Sequence, residues 1–189
     1  MKVSVLGCGR WGSFIAWYQA TVLKNEVISW GPEGDYSYEI LKNTGRNEYV
    51  TLDKNITLTC DLRLALESAD VIIISISSQG LRGFMQRITA FNVKDKPFVL
   101  CMKGIEVDTG KRLSEVLTES GISPDKIAVW VGPGHIQAFT QGIPNCMVID
   151  SASERLKRIL DDSFKSNLIS FYYGNDLIGT EIVASAKKV

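Results

Sequence analysis

Three glycines near the start of the chain, Gly7, Gly9 and Gly12, restrict its fold more than any other feature. They fall in Gly-Cys-Gly-Arg-Trp-Gly, directly after Met1-Lys2-Val3-Ser4-Val5-Leu6, which reads as a buried strand. A helical pattern follows, with Phe14, Tyr18 and Val22 near one face and Ile15 beside them. Glycines at this spacing between a strand and a helix are the fingerprint of a dinucleotide-binding unit. Gly7 permits the tight turn, Gly9 lets a pyrophosphate approach the backbone, and Gly12 lets helix and sheet pack closely. The start of the helix then offers unpaired N–H groups and a partial positive charge to the phosphates.

Composition narrows the partners. The 189 residues suit one domain, or one domain and part of another, and 45% of them are hydrophobic, enough for a sizeable core. The 21 Lys and Arg residues balance the 21 Asp and Glu without a basic tract, which argues against nucleic acid and anionic membrane. No apolar run approaches the roughly 20 residues of a membrane span, and no secretory signal is visible. Cys8, Cys60, Cys101 and Cys146 are widely spaced. They read as reduced, mostly buried thiols of a cytoplasmic protein, with no metal site.

Strand and helix patterns alternate along the chain. Strands are expected at Val27–Trp30, Ile56–Leu58, Val71–Ile76, Phe98–Met102, Ile127–Val131, Cys146–Ile149 and Leu168–Tyr173. The continuous apolar character of Val71–Ile76 implies a strand covered on both faces, as in a parallel sheet. Leu113, Val116 and Leu117 share one helical face, as do Leu156, Ile159 and Leu160, and Ser151 with Glu154 is spaced as a capping box. The pattern predicts an α/β fold with a doubly wound, Rossmann-type, mostly parallel sheet. Gly174-Asn175-Asp176 is a turn, and Gly179 to Val189 opens a further helix. The expected domains are therefore 1–178 for nucleotide binding and 179–189 as the first helix of a truncated all-α domain.

Ligands of open α/β sheets bind beyond the carboxyl ends of the strands. Four unusual loops fall there: Gly7–Gly12, Ser77-Ser78-Gln79-Gly80, Met102-Lys103-Gly104 and Gly132-Pro133-Gly134-His135. Lys103 suits a phosphate, a carbonyl or a ribose, or is a solvated strand-end charge. Gly132-Pro133-Gly134 offers N–H groups to an anion or to the nicotinamide amide, or is a plain turn. Ser78 is a cofactor contact or a helix cap. His135 is the single histidine, a poor basis for a catalytic triad or a metal site.

Taken together, these residues resemble the NAD(P)-dependent glycerol-3-phosphate dehydrogenases. The resemblance runs from Val3 to Val189. It rests on Gly-Cys-Gly-Arg-Trp-Gly, Ser-Trp-Gly at 29–31, Ser78-Gln79, Met-Lys-Gly at 102–104 and Gly-Pro at 132–133. It ends with Asn-Asp-Leu-Ile-Gly-Thr-Glu at 175–181 and Ala-Lys at 186–187. The resemblance implies NAD or NADP as cofactor and interconversion of sn-glycerol 3-phosphate with dihydroxyacetone phosphate, feeding glycerophospholipid synthesis. It implies Lys187 as proton donor and acceptor, with Lys103 and Gly132 at the substrate. Cofactor contacts are implied at Gly7, Gly9, Arg10, Trp11 and Gly12 in the first loop, and at Trp30 and Pro32 after the second strand. Ser78, Lys103, Gly134 and Ile136 complete them. The full-length enzyme is expected to bind a phosphorylated three-carbon substrate and to form a homodimer.

The chain departs from the family pattern at Lys188, where Asn is usual, at Ser77, where Pro is usual, and at Pro32, where a basic or polar residue is common. Its loop reads Gly-Pro-Gly-His-Ile, and the family's helical substrate domain is not in this sequence. Neither cofactor is selected outright: Glu33 and Asp35 come late for an acidic ribose contact, and Arg10 is the candidate for a 2′-phosphate. The alternatives are another dehydrogenase of the superfamily, such as a hydroxyacid or ketopantoate reductase, or a non-catalytic NAD(H)-sensing module.

Overall fold

The computed structural model of the chain describes residues 1–186. Within them, eight strands form one sheet. They are β1 (Lys2–Leu6), β2 (Glu26–Trp30), β3 (Ile56–Thr59), β4 (Val71–Ile74), β5 (Phe98–Leu100), β6 (Ile127–Val131), β7 (Asn145–Ser151) and β8 (Ile169–Tyr173). Their spatial order is β3-β2-β1-β4-β5-β6-β7-β8. The helices are α1 (Arg10–Trp17), α2 (Tyr36–Thr44), α3 (Leu62–Glu67), α4 (Leu81–Ile88), α5 (Leu113–Glu119), α6 (Ile136–Thr140), α7 (Glu154–Phe164) and α8 (Leu177–Ala186). The order reverses around β1, whose neighbours are β2 on one side and β4 on the other. A crevice therefore opens beyond the carboxyl ends of β1 and β4.

The sheet divides the core into two layers. Val71 and Ile73 of β4 join Phe14 of α1 and Leu160 of α7, while Ile72 and Ile74 join Leu66, Leu81 and Leu117 from α3, α4 and α5. This two-sided cover explains why β4 has no polar alternation. The strand stops at Ile74, two residues before the apolar run ends. Ser75 leaves the ladder with β5 and donates its N–H to Leu6 O at 2.8 Å.

The sheet is parallel except at one boundary, where β7 runs antiparallel to β6. The connecting helix accounts for the reversal. α6 spans about 7.5 Å at 1.5 Å per residue, whereas β6 is about 16 Å long. The chain is not carried back to the far edge, so it enters β7 from the carboxyl side. β8 then pairs parallel to β7.

Several sequence expectations change. Ser151 lies in β7 and donates its hydroxyl to Ile127 O at 2.6 Å, so it does not cap α7. Ser153 does, accepting from Leu156 N at 3.2 Å. Ile159 is 42% exposed. The inward stripe of α7 is Leu156, Lys157, Leu160, Asp161 and Phe164, and Ile159 lies about 130° around the helix from its centre. α8 starts at Leu177 rather than Gly179, because Asp176 caps it through the N–H groups of Gly179 and Thr180. Of the four free cysteines, Cys8 and Cys101 are buried, but Cys146 is half-buried and Cys60 exposed. Among the described residues no helix is long and apolar enough to cross a membrane.

The contrast within α7 is testable by thermal or urea unfolding. Leu160→Ala should cost about 2–5 kcal/mol, and Ile159→Ala no more than about 0.5 kcal/mol. Equal losses would contradict the assigned inward face.

Candidate functional site

Each glycine of the first loop meets a different constraint. Gly7 has φ +108°, and a Cβ there would lie 2.3 Å from Ser75 O. At Gly12 a Cβ would lie 1.8 Å from Gly7 O. At Gly9 a Cβ would meet nothing within 4 Å. The first and last glycines are thus required by the fold, while Gly9 leaves a clear space over the start of α1. Gly9 is the N-cap residue of that helix and has no side chain to cap it, leaving its first N–H groups for a ligand.

Two cavities meet over this loop. One, of about 570 Å³, is lined by Gly9, Arg10 and Trp11, by Ser75–Ser78, by Met102 and Lys103, and by Val131, Gly132, Gly134 and Met147. The other, of about 630 Å³, runs toward β2 and α4, and is lined by Gly7–Gly9, Trp30, Pro32, Asp35, Ser75–Ser77, Phe84 and Arg87. Gly9, Ser75, Ile76 and Ser77 belong to both. A two-part space joined at a helix N-terminus fits a dinucleotide, with its diphosphate over Gly9 and one nucleoside on each side. All four loops singled out in the sequence converge on the larger group of walls around the first cavity.

Lys103 is half-buried and donates from Nζ to Gly132 O at 2.9 Å, joining the loop after β5 to the loop after β6. It also lines a more apolar cleft of about 820 Å³ that continues along α8 past Gly132, Pro133, Asn175, Thr180, Val183 and Ala184. The Lys103 loop is braced from below. Gln79 donates to Ile105 O at 2.9 Å and accepts from Val107 N at 3.0 Å. Glu106 accepts from Arg82 Nε and Nη2 at 2.8 and 2.7 Å, and from the Thr109 hydroxyl. The Arg82 guanidinium, and then Thr109, hold the Glu106 carboxyl down at about 2.

The other expected contacts divide into groups. Trp11 is half-buried with its ring 5.1 Å from that of Phe14. Arg10 is exposed, donates to Gln137 Oε1 at 3.1 Å and lies 4.7 Å over the Tyr49 ring. It lines the 570 Å³ cavity and not the one beside β2. Trp30 is buried and donates Nε1–H to Cys60 O at 3.0 Å, presenting only part of its ring to the cavity, whereas Pro32 is exposed at the rim. Ser78 opens a single 3-10 turn and packs under Gly104, where a Cβ would lie 2.6 Å from Ser78 Oγ. Gly132 and Gly134 are fixed by packing against Met147 and the Phe139 ring. Ile136 is buried in α6 but lines a small cavity with Arg10, Trp11 and Lys103. His135 is exposed at the start of α6. Lys187 lies outside the described residues.

The 175–181 motif fastens α8 to the sheet. Thr180 donates to Asp150 Oδ2 at 2.8 Å, and buried Lys157 donates to Gly174 O at 2.8 Å. Glu181, also buried, accepts from Ser114 N and Oγ at 2.9 and 2.6 Å and from Arg112 Nη1 at 2.8 Å. Sequence reading missed Asp150, Lys157 and Arg112 because no local pattern marks them. It missed Arg87 because its place beside β2 appears only once α4 is set against the crevice.

The family described as NAD-dependent glycerol-3-phosphate dehydrogenase N-terminus matches residues 2–157. The chain belongs to that family. A relative from Prosthecochloris aestuarii, named glycerol-3-phosphate dehydrogenase (NAD(P)+), is 31% identical over 100% of this chain and 58% of its own length. One of the same name from Thermoanaerobacter sp. is 30% identical over 100% of this chain and 57% of its own. The chain thus spans little more than half the length of these dehydrogenases. A solved glycerol-3-phosphate dehydrogenase from Coxiella burnetii shares the fold, with a TM-score of 0.88 and 24% identity over 98% of this chain and 57% of that one.

The brace under Lys103 has a pH signature. A carboxyl held near 2 when folded titrates below its unfolded value of about 4.3. Its stabilisation is complete above the unfolded value and is lost as pH falls through the folded one. Glu106→Gln should therefore lower Tm at pH 7, with the gap to the native chain closing as pH drops from about 4.5 to 2. A gap that stays constant over that range would contradict the brace.

Proposed function

We propose that this chain is the nucleotide-binding part of an oxidoreductase that interconverts sn-glycerol 3-phosphate and dihydroxyacetone phosphate with NAD or NADP. The observation that carries the reading is the pair of cavities joined over Gly9, with the Lys103 amine at the end of one of them. The open space at Gly9 is what a diphosphate needs, so the residues present fit the cofactor. Gly9, Arg10 and Trp11 would hold the diphosphate, Trp30 and Pro32 the adenosine end, and Ser78, Gly134 and Ile136 the nicotinamide end. When bound, the nicotinamide supplies or takes the hydride.

The protein's part is electrostatic and geometric. Reduction places negative charge on the carbonyl oxygen of the substrate, and a fixed ammonium stabilises that charge. Lys103 is positioned for this: its bond to Gly132 O ties the amine to the rim shared by the first cavity and the cleft along α8. The cleft would admit the three-carbon phosphate. Lys187, which follows α8 in the sequence, would transfer the proton, and Asp150 and Glu181 fasten α8 in place. The same reading makes the protein a cytoplasmic source of the glycerophospholipid backbone, supported by four widely spaced cysteines without a Cys-x-x-Cys pair.

The experiment is dihydroxyacetone phosphate reduction by the full-length protein, followed by nucleotide oxidation. Lys187→Ala should lower kcat by about 10²–10⁴ while NADH still binds. Unaltered turnover would remove Lys187 from the mechanism. Tight nucleotide binding with no turnover by the native full-length protein would leave only a nucleotide-sensing module.

A further inference from the structure

The cavity beside β2 contains one cation and one carboxylate among its lining residues, and each comes from a different element. Arg87 stands in the last turn of α4, with its Cζ 6.0 Å from the ring centroids of Trp30 and Phe84. It reaches the cavity along a face kept bare by Gly80 and Gly83, where an added Cβ would meet nothing within 4 Å. Asp35 precedes α2 and accepts from Tyr38 N at 3.1 Å. Its charge is also felt at the glycine loop: burial first, and then Asp35, push the Cys8 thiol up to about 12.

We propose that Arg87 and Asp35 set the choice between NADP(H) and NAD(H), Arg87 by receiving the 2′-phosphate of the adenosine ribose and Asp35 by accepting its free 2′-hydroxyl. This rests on the reading of the crevice as a nicotinamide dinucleotide site. The two cofactors differ only by that phosphate, so selectivity must come from charge at this end of the site. A guanidinium offers a planar fork that matches phosphate oxygens in pairs. A carboxylate accepts from a ribose hydroxyl and repels a phosphate in the same place. Arg10, the other arginine near the glycine loop, donates to Gln137 and lies over the Tyr49 ring, and it does not line this cavity. The opposed charges give a site that accepts both cofactors and is tuned by either residue.

The test is parallel titration of the chain and its variants with NADH and NADPH. Arg87→Gln should weaken NADPH about tenfold, the size of one lost charge-assisted contact, and leave NADH within about twofold. Arg87→Lys should recover part of the NADPH affinity. Asp35→Asn keeps a residue that caps helices as well as Asp does, so α2 is preserved, and it should shift the affinity ratio toward NADPH. Equal loss of both nucleotides in Arg87→Gln, or an unchanged ratio in both variants, would overturn the proposal. A native chain that binds neither nucleotide would instead overturn the dinucleotide reading itself, and this inference with it.

Discussion

The first turn of α1 lies so close to the end of β1 that one methyl group on Gly12 would collide with the Gly7 carbonyl at 1.8 Å. That backbone approach determines the rest of the site. It is possible only because Gly7 takes φ +108° and leaves its side toward Ser75 bare. The approach aims the free N–H groups of α1 into the crevice between β1 and β4, and it sets Gly9 at the point where two cavities join. Phe14 and Ile15 then fill the layer beneath, so the cost of two constrained glycines is offset by packing of the helix they start.

The second requirement is that the remaining loops stay in register with this one. Side chains far apart in sequence do that work. Lys103 ties to Gly132, Gln79 to the loop after β5, and Arg82 to Glu106. Further along, α8 is held by two buried carboxylates, Asp150 and Glu181. Such groups are costly to bury and gain little over apolar packing, but each here has its donors in place. Breaking one would leave a charge unpaired, so they fix the placement of α8 more firmly than a smooth apolar face would. The helix therefore reaches the Lys103 cleft from a set direction, with Val183 and Ala184 in its wall.

Much of this was legible in the sequence, and the reason is locality. The glycine spacing, the apolar run of β4 and the polar loops at strand ends all depend on neighbours within a few residues. What escaped depends on distance. The reversal at β7 follows from the shortness of α6, which the pattern 136–140 does not announce. Ser151 and Ser153 both fit a cap, and only the bond from Ser151 to Ile127 on the next strand decides between them. Ile159 looked apolar enough to be inward, but Lys157 and Asp161 occupy that face because the Gly174 carbonyl and the Tyr173 hydroxyl await them. Asp35 reads in the sequence only as a late candidate for a ribose contact, and Arg87 as an ordinary surface charge, until α2 and α4 are set around the end of β2.

The central claim is that Gly9 is bare for the ligand's sake, whereas Gly7 and Gly12 are bare for the fold's. The most direct measurement is NADH titration of Gly9→Ala beside its thermal unfolding. Since nothing lies within 4 Å of the new methyl group and Gly9 has an ordinary φ of −65°, the variant should lose no more than about 1 kcal/mol, the cost of replacing an N-cap Gly by Ala. Its NADH affinity should fall at least about tenfold, as the methyl group would intrude on the space proposed for the diphosphate. A variant equally stable and binding NADH as tightly as the native chain would contradict the account.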